Sequence, residues 1–110
     1  MNIIKNIENF KKDENYLIFS GIGNHKTFLS MIKNYGLKVL KDLEFPDHYE
    51  YKSFDINKIL YEAKKLNCKI ITTEKDFLRL DKQQKKDIKY LSIELKIKSI
   101  DKFKKKLLKI

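Results

Sequence analysis

The stretch Tyr16-Leu17-Ile18-Phe19-Ser20-Gly21-Ile22-Gly23-Asn24 decides the fold. A compact apolar run that ends at a glycine reads as a buried strand, because a strand covered on both faces has no reason to alternate with polar residues. Beyond the turn, Phe28, Leu29, Met31 and Ile32 recur at helical spacing up to Tyr35, and Gly36 stands where a helix C-cap belongs. Leu37-Lys38-Val39-Leu40 reads as a second short strand, followed by a loop through Phe45-Pro46-Asp47-His48. Asp55 can cap a helix that carries Ile56, Ile59, Leu60 and Ala63 and ends near Asn67. Cys68 to Thr72 is a third strand, with Cys68 expected to be a buried strand residue, and a short helical piece follows around Phe77, Leu78 and Leu80. Tyr90 to Leu95 reads as a fourth strand, and Ile100, Phe103, Leu107 and Ile110 as a terminal amphipathic helix. Residues 1–15 carry no clear period. Strands alternating with helices predict an α/β fold: one three-layer α/β/α domain over residues 1–110, with a small, mostly parallel sheet of about four strands.

Length agrees with one domain, since 110 residues fall within the usual ~100–150. A hydrophobic share of 42% is enough for a real core and excludes wholesale disorder. The apolar run Tyr16–Ile22 is far shorter than the ~20 residues of a membrane span. Lys5 interrupts the N-terminus before a signal-peptide core could form, so secretion is not expected. One cysteine and two histidines give neither an internal disulfide nor a zinc cage, and a reducing cytoplasm fits them.

The net charge of +10 invites a nucleic-acid reading, which composition weakens. Of 25 basic residues, Arg79 is the only arginine, whereas base and phosphate recognition favours the arginine fork. Lys, Ile and Asn account for 47 of the 110 residues, the codon bias of an AT-rich genome. The excess is concentrated at the end: residues 81–110 carry 11 Lys against four acidic residues, net +7. That stretch is either a solvated face or a contact with anionic lipid or phosphate.

Three polar motifs fall where strands end, which is where ligands sit in such sheets. Ser20-Gly21-Ile22-Gly23-Asn24 is either a tight turn capped by Asn24 or a loop whose amides hold an anion. It is neither the dinucleotide fingerprint nor a P-loop, because Lys26 replaces the third glycine and no Gly-Lys-Ser/Thr occurs in the chain. Phe45-Pro46-Asp47-His48-Tyr49-Glu50-Tyr51 sets a histidine beside a carboxylate in a proline-led loop, suited to proton transfer or phosphate contact, or merely exposed. Thr72-Thr73-Glu74-Lys75-Asp76 is a converging polar cluster or a helix-capping turn.

In this order and spacing, Gly21-Ile22-Gly23-Asn24 with Phe28, Gly36-Leu37, Phe45-Pro46-Asp47-His48 with Tyr51, and Thr72 to Asp76 resemble the C-terminal part of tetraacyldisaccharide 4′-kinase, most strongly over residues 16–80. Two positions depart from the family pattern: His25 stands where a proline is common, and Tyr49-Glu50 where the family reads His-Pro. The resemblance implies a lipid A biosynthesis enzyme that uses ATP and Mg²⁺ to phosphorylate the 4′-hydroxyl of an acylated glucosamine disaccharide. It implies His48 and Asp47 as catalytic, and Gly21, Gly23, Asn24, Thr73 and Lys75 as cofactor-binding. The family's P-loop and magnesium carboxylates belong to another domain, so activity is expected only with a complete or separately encoded P-loop half. Met1, well ahead of the first shared strand, is expected to begin a natural reading frame. The implied location is cytoplasmic, peripheral at the inner membrane of a Gram-negative bacterium. The alternative is a non-catalytic basic module on an anionic membrane surface or, last in rank, RNA.

Overall fold

The computed structural model describes the backbone of residues 2–4, 10–96 and 107–109 and the side chains of residues 10–92. Strand β1 (Asn2–Ile4) precedes β2 (Asn15–Ser20), helix α1 (His25–Asn34), β3 (Lys38–Glu44), α2 (Ser53–Leu66), β4 (Lys69–Thr73) and α3 (Glu74–Phe77). A 3₁₀ turn, Gln84–Asp87, leads into β5 (Ile88–Leu91), β6 (Ile93–Lys96) and β7 (Leu107–Lys109).

Four strands form an all-parallel sheet in the order β3-β2-β4-β5. The central strand β2 is buried from Tyr16 to Ser20, as its unbroken apolar run requires. Its residues alternate between two cores. Tyr16 and Ile18 pack with Phe28, Met31 and Ile32 of α1, while Leu17 and Phe19 pack with Ile56, Ile59 and Ala63 of α2. Helices therefore cover both faces, and the three-layer α/β/α expectation holds. The chain leaves β2 through α1 to β3 on one side, then crosses by α2 to β4 on the other. The C-terminal ends of β2 and β4 thus flank the point where strand order reverses, the usual ligand position in open parallel sheets.

Both long helices stop by the same device. After α1 the amide of Gly36 donates to Lys33 O at 2.9 Å and that of Leu37 to Ile32 O at 3.4 Å, with Gly36 at φ 90°. After α2 the amide of Asn67 donates to Lys64 O at 3.2 Å and that of Cys68 to Ala63 O at 2.8 Å, with Asn67 at φ 57°. These are Schellman closures, which need a left-handed residue just past the helix. Asp55 does not begin α2 as expected. It lies one turn in and reaches back to accept from the Lys52 amide at 2.9 Å.

Several more expectations are corrected. The strand read over Tyr90 to Leu95 is two elements: β5 is parallel to β4, and β6 turns into a second, antiparallel sheet between β1 and β7. The second strand runs through Glu44 instead of stopping at Leu40. The terminal helix is contradicted where the chain is described, because Leu107–Lys109 is strand β7 paired with β6; Ile100, Phe103 and Ile110 lie outside the described residues. Cys68 precedes β4 and is half-buried, and burial pushes its thiol above the ordinary value. No described helix is long and apolar enough to cross a membrane.

The left-handed residue after α2 predicts a split between two substitutions. In equilibrium denaturation, Asn67→Gly should stay within a few tenths of a kcal/mol of the parent. Asn67→Val should lose roughly 1–2 kcal/mol, because a β-branched side chain collides with its own carbonyl at positive φ.

Candidate functional site

At the reversal point the loop after β2, the loop after β3 and the start of α3 meet on one buried carboxylate. Asp76 has no exposed surface. Its Oδ1 accepts from the Gly21 amide at 3.0 Å and from the Tyr51 hydroxyl at 3.0 Å. Its Oδ2 accepts from the Thr73 hydroxyl at 2.6 Å, while its own amide donates to Thr73 Oγ1 at 3.1 Å. Thr73 thereby caps α3. Arg79 lies one turn on, its Nη1 3.6 Å from Asp76 Oδ1. A buried carboxylate is tolerable only when it is fully hydrogen-bonded and faces a positive charge, and this one has both. Burial, and then the Asp76 charge, push the Tyr51 phenol far above its ordinary range, so the hydroxyl remains a donor.

Gly21 is small because this junction leaves no room for a side chain. A Cβ there would lie 3.0 Å from Pro46 O, 3.1 Å from Tyr51 Oη and 3.3 Å from Asp76 Oδ1. Its φ is not positive. The glycine serves close approach, not a left-handed turn, and its amide is spent on Asp76 instead of an anion. Gly23 is different: among the described residues, no atom beyond its own chain neighbours lies within 4 Å of where its Cβ would stand. Asn24 occupies the N-cap of α1 but makes no side-chain cap bond; only its carbonyl is used, accepting from the Phe28 amide at 3.1 Å.

The loop after β3 is pinned to the same place. The Phe45 amide donates to Ser20 O at 2.8 Å and the His48 amide to Gly21 O at 3.1 Å. The Tyr49 amide closes a turn on Pro46 O at 3.1 Å, with His48 at φ 63° in its third position. Positive φ at a non-glycine residue is uncommon and clusters at functional sites. The His48 ring stands out of this turn with its side chain 71% exposed. Its Nε2 is 3.7 Å from Asp47 Oδ2, too long for a hydrogen bond, whereas Arg79 Nη2 donates to its Nδ1 at 3.1 Å. His48, Glu50, Tyr51 and Arg79 line an open pocket of about 430 Å³.

The two family departures have local partners. Tyr49 donates its hydroxyl to Asp55 Oδ2 at 2.9 Å, which raises its phenol pKa and ties the histidine loop to the start of α2. Its ring packs among Phe45 and Tyr51. His25 is buried between Ser20 Oγ, 2.5 Å from Nδ1, and Asp42 Oδ2, 2.7 Å from Nε2. This Ser–His–Asp line has the composition of a nucleophilic triad, but Ser20 has no exposed surface and cannot meet a substrate. The three residues lock the glycine loop to β3.

Of the residues singled out from sequence, Gly21, Thr73 and the His48 backbone are brought together around Asp76. Gly23, Asn24, Asp47 and Lys75 are exposed at the surrounding loop and helix starts. Sequence reasoning missed Arg79 as a site residue. The signal that could have found it was its status as the sole arginine in a lysine-rich chain.

The steric account of the two glycines is tested by thermal or chemical denaturation. Gly21→Ala should cost about 1–3 kcal/mol by overpacking. Gly23→Ala should lie within about 0.5 kcal/mol of the parent.

Comparison with known proteins agrees with these motifs. The sequence profile of the tetraacyldisaccharide-1-P 4′-kinase family matches residues 3–110. A tetraacyldisaccharide 4′-kinase of Pelagibacter ubique is 52% identical over 105 residues, covering 96% of this chain and 33% of the relative. That of Rickettsia akari is 40% identical over 101 residues, covering 92% and 31%, and that of Rickettsia felis 40% over 98 residues, covering 89% and 30%. The chain therefore spans about a third of the length of these relatives. No solved structure matches it. On the profile match and these identities, the chain belongs to the tetraacyldisaccharide-1-P 4′-kinase family.

Proposed function

We propose that this chain is the C-terminal part of a tetraacyldisaccharide 4′-kinase and supplies His48 to ATP-dependent phosphorylation of the 4′-hydroxyl of an acylated glucosamine disaccharide. The observation that carries the reading is the way His48 is presented. An exposed imidazole is held at positive φ on a proline-led turn, at the reversal point of the sheet, in a chain of this family. Pro46 fixes its own φ, and the bond to Gly21 O fixes the far side of the turn.

Phosphoryl transfer requires groups that cradle the nucleotide phosphates, hold magnesium and position the nucleophile. The described residues do not fit ATP and magnesium by themselves. No Gly-Lys-Ser/Thr occurs in the sequence, and among the described residues no three His, Cys, Asp or Glu side chains gather as a cation cage. A P-loop half, joined or separately encoded, would provide that cradle, and His48 would face it across the cleft. Lys75 and the α1 N-terminus at Gly23 and Asn24 would border the same opening. The acylated substrate implies work at the inner membrane surface. A second reading, a non-catalytic module on anionic lipid, is favoured only by the net +7 of residues 81–110.

Reconstitution with a P-loop half of the family tests the reading through phosphate transfer to the acylated disaccharide. His48→Ala should lower turnover roughly 10²–10⁴-fold, the range for a positioned proton-transfer or hydrogen-bond-donating side chain. His48→Asn, which tolerates positive φ, should be equally slow and separates loss of the ring from loss of the turn. The chain alone should transfer no phosphate above its His48→Ala control. An unchanged rate in both reconstituted variants removes His48 from the reaction.

A further inference from the structure

Arg79 is the one place where this chain uses a guanidinium, although 24 lysines provide positive charge elsewhere. It follows α3, its amide donating to Asp76 O at 3.0 Å. Its two terminal nitrogens face different groups. Nη1 is buried 3.6 Å from the Asp76 carboxylate, without a hydrogen-bond partner among the described residues, and Nη2 is 3.1 Å from His48 Nδ1. The side chain thus joins the buried carboxylate to the exposed imidazole. An ammonium has one nitrogen and cannot span both with a planar fork.

The chemistry of this contact fixes a proton. Arginine has five N–H donors, no acceptor and no accessible neutral form. A hydrogen bond from Nη2 to the ring therefore requires a free lone pair on His48 Nδ1, which leaves the proton of the neutral ring on Nε2. We propose that Arg79 is a positioning residue that holds His48 in the Nε2–H tautomer, so that the exposed edge of the ring acts as a hydrogen-bond donor to a substrate or cofactor oxygen. On this assignment Nε2 does not act as a base. Among the described residues, Arg79 meets the ring at Nδ1, the Asp47 carboxylate lies 3.7 Å from Nε2, and Glu50 lines the same pocket. Asp76, through Arg79, sets the direction from below.

This inference deepens the kinase reading, on which the use of His48 in transfer rests. Its test needs neither ATP nor lipid. The ¹⁵N-labelled 110-residue chain is examined by long-range ¹H–¹⁵N correlation of its two histidine rings, well above the ordinary histidine range of about 6.5. In the parent, His48 should show one tautomer, with Nδ1 unprotonated and Nε2 carrying the proton. In Arg79→Lys and Arg79→Gln that pattern should be lost to an average of both tautomers, while the His25 ring, held by Ser20 and Asp42, keeps its signals and reports an intact fold. An averaged or Nδ1–H pattern in the parent overturns the proposal whatever the variants do. A parent pattern that persists in both substituted chains overturns it as well. Failure of the kinase reading shows up elsewhere, as an unaffected transfer rate in the reconstituted His48 variants.

Discussion

A carboxylate with no exposed surface must be surrounded by donors, and Asp76 recruits them from segments that are distant in sequence. Gly21 lies 55 residues away and Tyr51 25, yet both donate to the same oxygen. Thr73 and Arg79 complete the shell from its own side. Because each donor sits on a different segment, satisfying one carboxylate fixes the end of β2, the end of β4 and the loop after β3 together. Removing any one donor leaves a polar group buried without compensation, which costs more than the bond itself contributes. The absence of a side chain at Gly21 and the protonated state of Tyr51 both follow from this packing.

The sheet was legible in the chain because its physics is local. Tyr16 to Phe19 is apolar throughout since it is covered twice, and Gly36 marks the end of α1 since few residues adopt its φ. The failures share a different cause. Ile100, Phe103, Leu107 and Ile110 match a helical period, but pairing with β6 makes Leu107–Lys109 a strand, and periodicity carries no information about an open strand edge. Tyr90 to Leu95 is uninterrupted by Gly or Pro, so nothing local marks the break after Leu91 where the chain exchanges one sheet for another.

The candidate site divides in the same way. Residue types and spacing sufficed to locate Gly21, His48 and the Thr73 to Asp76 motif at strand ends. They did not reveal what each residue does there. Gly21 reads as part of a tight turn or of an anion-holding loop, and in the structure it is a point of close approach whose amide donates to Asp76, while the second His position of the family is filled by Tyr49, whose hydroxyl turns inward to Asp55. Such roles depend on contacts made across the reversal point, which only the assembled sheet creates. The outcome is a presenting surface: the knot below is held by bonds from three segments, and the exposed imidazole, on a residue at positive φ, stands above it.

The most direct test of this account is the unfolding free energy of Asp76→Ala by equilibrium denaturation. The substitution strands the Gly21 amide, the Tyr51 hydroxyl and the Arg79 charge at once. Breaking a buried charged pair with its hydrogen bonds should cost roughly 3–5 kcal/mol, a large part of the stability of a domain this size. A loss below about 1 kcal/mol, the size of an ordinary exposed contact, would contradict the claim that this carboxylate holds the site together.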